Sequence, residues 1–374
     1  MIYLDNNAST PVDPEVAEEM YSSLRFYGNP SSSHRTGRSA RAIIDKARGL
    51  VAGTINASEE EILFTSGGTE SNNLAIIGTA LSRGKGHIIT SVIEHPSVLS
   101  PCRFLEEKGF SVTYVGVNRY GTVNIEDIKK SIRNDTILIT IMHANNETGI
   151  IQPIEEIGII AREKGIAFHT DAAQTVGKIP VDTKRLNVDM LTIVSHKFYG
   201  PKGVGALYVR KGRMIHPILF GAGHERGLRP GTENLPGIAG MGKACELTSR
   251  YIKDRVLQAK KLSEILYNEL KRHLPCVSIN GDPNLRLPNT LNICLGDIQS
   301  TELVDVLQDS VALSTGSACH AGVKRPSAVL LAMGLSEKEA LSSVRLSLGK
   351  DNTEEEIIEA ASLIAKAVQD LRGL

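Results

Sequence analysis

Short apolar runs alternate with amphipathic stretches through the first two thirds of the chain, and a polar segment follows almost every run. Runs at 61–64, 86–91, 111–117, 137–142, 166–170, 190–194 and 206–210 are strand-length and read as buried strands. Helical spacing fills the gaps: 35–55, a stretch opening at the Gly67-Gly68 turn and running through Ile77, one starting at Pro96, then 125–132 and 153–164. Start signals agree with this reading. Asp13-Pro14-Glu15 supplies a helix cap with proline at the first helical position, and Pro96 marks another start. Strand–helix alternation of this kind predicts an α/β chain with a mostly parallel, seven-stranded sheet flanked by helices. Its ligand crevice is expected at the carboxyl ends of the strands.

The pattern changes late in the chain. Residues 235–274 are helix-periodic, and the chain is expected to leave the large domain near 250–260. Beyond that lie short strands at 290–294, 311–313 and 344–348 and two helices, one of them at 327–333, which read as a small α+β domain. A short strand at 2–4 is expected to complete it. The division is therefore 13–255 for the large domain, and 1–12 with 256–374 for the small one.

Composition narrows the partners. The 374 residues carry 41% hydrophobic and 22% charged side chains, ordinary for a globular protein, and a formal net charge of zero. Such a balance argues against nucleic acid or an acidic membrane as the main partner. No run reaches the ~18 apolar residues of a membrane span, and the first residues lack a basic, then apolar, leader. The five cysteines, Cys102, Cys245, Cys276, Cys294 and Cys319, are scattered and form no CxxC pair, so neither a disulfide framework nor a metal site is expected. Reduced thiols and a cytoplasmic location follow as the default.

The chemistry collects just after the strands. Ser195, His196 and Lys197 follow the run at 190–194, before a turn with Gly200, Pro201 and Gly203. A lysine placed there can pair with a phosphate or form an imine with a carbonyl cofactor, or it can be a surface lysine in a turn. Asp171, then Ala172, Ala173 and Gln174, follow the run at 166–170. An acid and a lysine at two strand ends are what a pyridoxal phosphate site needs: the acid holds the pyridine nitrogen protonated and the amine carries the aldehyde carbon. Gly67, Gly68 and Thr69 open a helix whose free N–H groups suit an anion. His95 sits at a strand–helix junction, where a flat ring can stack on a ligand and relay protons. Cys319 lies among small residues in Ser314-Thr-Gly-Ser-Ala-Cys-His-Ala-Gly322, with His320, Lys324 and Arg325 near enough to favour its thiolate. Arg345, a lone base in a strand, needs an anionic partner: either a substrate carboxylate or a structural acid.

Five strings in order, SGGTESNN (66–73), HTDAAQ (169–174), SHKFYGPKG (195–203), GHERGLRPGT (223–232) and STGSACHAG (314–322), resemble the group I cysteine desulfurases, fold type I pyridoxal-phosphate enzymes of the class V aminotransferase group. The resemblance runs nearly end to end. It implies pyridoxal 5'-phosphate held by Gly68, Thr69, His95, Asn146, Asp171, Gln174, Ser195, His196 and Lys197, with Thr232 reaching the site of a second subunit in a homodimer. It implies that Asn146, Arg345 and Asn7 bind the substrate L-cysteine, that Lys197 and His95 move protons, and that Cys319 carries the sulfur as a persulfide toward an acceptor or scaffold protein, as in iron–sulfur cluster assembly or thiolation. Two strings, Arg229-Pro-Gly-Thr-Glu-Asn234 and Ala318-Cys-His320, resemble selenocysteine lyase instead. An aminotransferase without need of Cys319 and a non-catalytic sulfur or metal scaffold are further alternatives.

Overall fold

The structure is a computed structural model that describes residues 1–315 and 325–373. In chain order, the first part holds β1 (Ile2–Tyr3), α1 (Pro14–Ser23), α2 (Arg35–Thr54), β2 (Ile62–Thr65), α3 (Gly68–Arg83), β3 (His87–Ser91), α4 (Pro96–Glu107), β4 (Ser111–Val115), α5 (Ile125–Ser131), β5 (Thr136–Thr140), α6 (Ile154–Glu163), β6 (Ala167–Asp171), β7 (Met190–Val194) and β8 (Gly205–Val209). The second part holds α7 (Leu235–His273), β9 (Ser278–Ile279), β10 (Thr290–Cys294), α8 (Ser300–Leu307), β11 (Val311–Ala312), α9 (Ala328–Ala332), α10 (Glu337–Leu341), β12 (Ser343–Ser347) and α11 (Glu354–Arg372). Among the described residues, seven strands form one sheet in the order β2-β8-β7-β6-β5-β3-β4. The pairings from β7 through β6, β5 and β3 to β4 are parallel, while β8 runs antiparallel to both of its neighbours. The expected mostly parallel sheet is therefore present, with one reversed strand. β7 and β8 are joined by the glycine turn after Lys197 rather than by a crossover helix, and a short connection can only return antiparallel.

Apolar residues cover both faces, as burial on two sides requires. Neighbouring residues alternate between them: Ile88, Leu138, Ala167 and Met190 pack with α3 and α4, and Ile89, Ile139, Phe168 and Leu191 pack with α2, α6 and the start of α7. A separate apolar core joins Ile2 and Leu4 to Leu262, Leu291, Val344 and Ile364, and β1 pairs in parallel with β11. α7 takes part in both: Leu235 to Leu247 pack in the first core, Leu262 to Leu270 in the other. The expected departure near 250–260 falls inside this unbroken helix. The second part also carries more helix than the two read from the sequence. The capping boxes Ser336/Glu339 and Thr353/Glu356 start α10 and α11.

Candidate active site

A cavity of about 470 Å³ opens where β2, β3, β5, β6 and β7 end. Its wall includes Asn7, Gly68, Thr69, His95, Asn146, Asp171, Gln174, His196, Lys197 and Arg345. Residues from Gly68 to Lys197 meet because the parallel strands end on one edge, while Asn7 and Arg345 are brought to it from the loop after β1 and from β12. Ser195 is buried beside Val194 and His196, which are on the wall, and its Oγ has no hydrogen-bond partner among the described residues. Thr232 is exposed and outside the cavity. Cys319 and His320 lie outside the described residues.

The Lys197 amine donates to the carbonyls of Asn7 and Ala8 at 2.8 and 2.7 Å. Burial, then the Arg345 charge, push its pKa down to about 8. Asp171 accepts from the Asn72 amide at 2.7 Å and from the Ala173 N–H at 2.9 Å. The same Asn72 amide donates to Ser97 Oγ at 2.8 Å, and Ser97 Oγ lies 2.8 Å from His95 Nδ1. His95 also caps α4, its Nδ1 accepting the Ser97 N–H at 3.1 Å. With Nδ1 accepting twice, the network assigns the ring proton to Nε2. Burial holds the His95 pKa below its ordinary value, so the ring is neutral near pH 7. His196 is pushed down to about 4 by burial and by Lys197 and Lys202, and its Nδ1 lies 3.2 Å from Ser9 Oγ.

Arg345 has a structural partner: Nη2 donates to Asp5 Oδ1 at 2.6 Å, and Nη1 to the Asn146 carbonyl at 3.0 Å. Its Nε is buried without a hydrogen-bond partner among the described residues. Asp5, Asn72 and Ser97 share the cavity wall and were not singled out from the sequence. Asn72 had a signal there, standing one turn into the helix that the glycine turn opens. Asp5 had none, because its partner is 340 residues away. Burial pushes the thiols of Cys102 and Cys245 up to about 12, so these two are poor nucleophiles. Among the described residues, no His, Cys, Asp and Glu group could hold a metal, and no helix is long and apolar enough to cross a membrane.

The residues fit pyridoxal 5'-phosphate on three observations. A Cβ at Gly68 would stand 2.6 Å from Val194 Cγ2, so the start of α3 approaches β7 as only glycine allows. Gly68 and Thr69 present that helix start to the cavity, a natural phosphate cradle. The buried Asp171 and the amine of Lys197 share the same wall.

An acid, an amine and a ring share one cavity at the strand ends of an α/β fold, and these are the groups that a lysine-dependent carbonyl-cofactor enzyme uses. The "Aminotransferase class-V" family model matches residues 2–359. A cysteine desulfurase IscS of Dictyoglomus turgidum is 46% identical over all of this chain and 96% of its own length. One from Methanosarcina thermophila is 47% identical, over all of this chain and 93% of its own. Among solved structures, a NifS-like protein superposes with a TM-score of 0.92 at 39% identity, covering both chains completely. SspA in complex with cysteine superposes at 0.80 with 40% identity, over 93% of this chain and 99% of its own. The chain belongs to the class-V aminotransferase family, in its cysteine desulfurase branch.

Proposed function

We propose that this protein is a cysteine desulfurase that uses pyridoxal 5'-phosphate to convert L-cysteine to L-alanine and leaves the sulfur as a persulfide on Cys319. The observation that carries the reading is the shared cavity wall of Lys197, Asp171 and His95. The relatives' names favour it over selenocysteine lyase. Gly68, Thr69, Ser195 and His196 would hold the phosphate, Asp171 the ring nitrogen, and Asn146 and Gln174 the ring edge. When bound, the cofactor supplies an electron sink for charge developed at the substrate Cα.

The side chains then have distinct tasks. Lys197, with its low pKa, takes and returns the Cα proton. Arg345 grips the substrate carboxylate, sharing or exchanging Asp5, while the Asn7–Asn146 contact shapes that end of the cavity. The Cys319 thiolate attacks the substrate sulfur: an S–S bond forms, the C–S bond breaks, and its electron pair stays on the carbon, which is protonated to give alanine. His95 Nε2–H handles a proton beside the departing sulfur. The persulfide passes to an acceptor or scaffold protein in the cytoplasm. The exposed place of Thr232 is consistent with service to a second subunit in a homodimer. The two apolar cores support domains at 13–255 and at 1–12 with 256–374. In the test, cofactor-loaded protein is mixed with cysteine, and alanine and protein persulfide are quantified in equal amounts during the first turnover. Cys319→Ser should lose the persulfide and most sulfide release, and unchanged release from that variant would sink the nucleophile assignment.

A further inference from the structure

Lys178 stands one turn beyond Gln174, behind the cavity wall rather than on it. It lines a separate small cleft with Thr10, Tyr199 and Arg255. Its Nζ donates to Asn7 Oδ1 and to Gln174 Oε1, both at 2.6 Å. Among the described residues it forms no ion pair, so its two named partners are neutral carboxamides. Burial holds its pKa well below the ordinary lysine value, with Lys197 and then Arg345 acting in the same direction.

A charged lysine amine donates three hydrogen bonds and accepts none, and even a neutral one has two N–H groups for the two oxygens it meets here. The charged amine requires the carboxamides of residues 7 and 174 to turn their oxygens toward it and their NH2 groups away, and the two N–H groups of the neutral amine match the same two oxygens. Asn7 Nδ2 accordingly donates to the Asn146 carbonyl at 3.2 Å and to Thr290 Oγ1 at 2.9 Å. Gln174 Nε2 donates to the Asn7 carbonyl at 3.0 Å, and a second N–H remains on a side chain that lines the cavity. Without Lys178, only the Nε2–H bond to the Asn7 carbonyl would be left among these contacts to hold the Gln174 amide in this sense.

We propose that Lys178 is a positioning residue: by holding the oxygens of Gln174 and Asn7, it makes Gln174 present an N–H donor, rather than a carbonyl, to the cofactor cavity. The proposal rests on the cofactor reading given above. A donor there favours negative charge in the cavity and so lowers the proton affinity of the nitrogen at Lys197; its loss raises that affinity.

The experiment is a pH titration of the near-ultraviolet and visible absorbance of the cofactor-loaded protein. In Lys178→Met the midpoint should rise by about half a pH unit or more, roughly three-fold in proton affinity. Gln174→Ala should move it the same way, and the double variant should move it no further than Gln174→Ala alone, because the lysine acts through that amide. Lys178→Arg, which keeps N–H donors, should restore the midpoint toward wild type. A folded Lys178→Met with the wild-type midpoint overturns the proposal, as does a double variant whose shift is the sum of the two. Should Lys178→Met not fold by thermal melting, Lys178→Leu, which also lacks N–H donors, is judged by the same two criteria. Wild-type protein without a cofactor absorbance would instead sink the functional reading.

Discussion

At the scale of single residues, the proposed chemistry depends on one amine kept reactive near neutral pH. Lys197 is largely desolvated and feels the Arg345 charge, and both facts disfavour its charged form. Below about 8 the amine holds its extra proton and cannot attack a carbonyl; above it the free amine dominates. The rate at which cofactor-free protein takes up pyridoxal 5'-phosphate, followed by absorbance, should therefore climb as pH rises through about 8 and then level off. A midpoint near the ordinary lysine value would contradict the assignment. Arg345→Met removes the second cause and should move the midpoint upward. His95 shows the same logic by different means. Its tautomer is set by the Ser97 N–H and hydroxyl, so the ring reaches the cavity with a donor.

At the scale of elements, each strand end supplies one group, and the turn after it decides where that group points. The turn between β2 and α3 is the most constrained. Gly67 has φ 147°, a conformation that only glycine adopts readily, while Gly68 packs against Val194. Gly67→Ala meets no atom within 4 Å, so its cost is backbone strain alone, on the order of 1–3 kcal/mol. The expected outcome is a lower melting temperature and a cofactor affinity weakened about ten-fold, measured by fluorescence titration. An unchanged affinity would mean that the start of α3 does not cradle the phosphate. The elements themselves were largely legible in the sequence. Helix 35–55 was expected against Arg35–Thr54, and strand 190–194 against Met190–Val194. Long periodic stretches and fully apolar runs carry their own signal, whereas α8 and α10, each of two turns or fewer, carry almost none.

At the scale of the whole molecule, long-range pairs fasten the loops to the cores. Arg48 on α2 grips Glu225 with two hydrogen bonds of 2.8 and 2.6 Å, and Glu225 also accepts the Phe64 N–H at 2.9 Å. Both side chains are nearly buried, and Glu225 and Arg226 hold positive φ in the loop that leads to Thr232. Removing one member of a buried pair strands the other's charge, at a cost of about 3–5 kcal/mol. Arg48→Ala should lower the thermal unfolding midpoint markedly. Arg48→Met with Glu225→Gln should lower it less, because no buried charge is left unpaired. Equal losses in the two would show that the pair contributes packing rather than charge.

The chain's own pattern determined the strand–helix alternation and the edge of the sheet to which Lys197, Asp171, His95 and the glycine turn come, because these follow from local periodicity and from what must come after a strand. Only the tertiary structure decided that Asp5 holds Arg345, that Asn72 and Ser97 link Asp171 to His95, that β8 is reversed, and that Lys178 donates to two side-chain amides. These are contacts between groups distant in sequence, or choices among equal local conformations. They arise when two cores pack along one long helix, and no window of residues contains them.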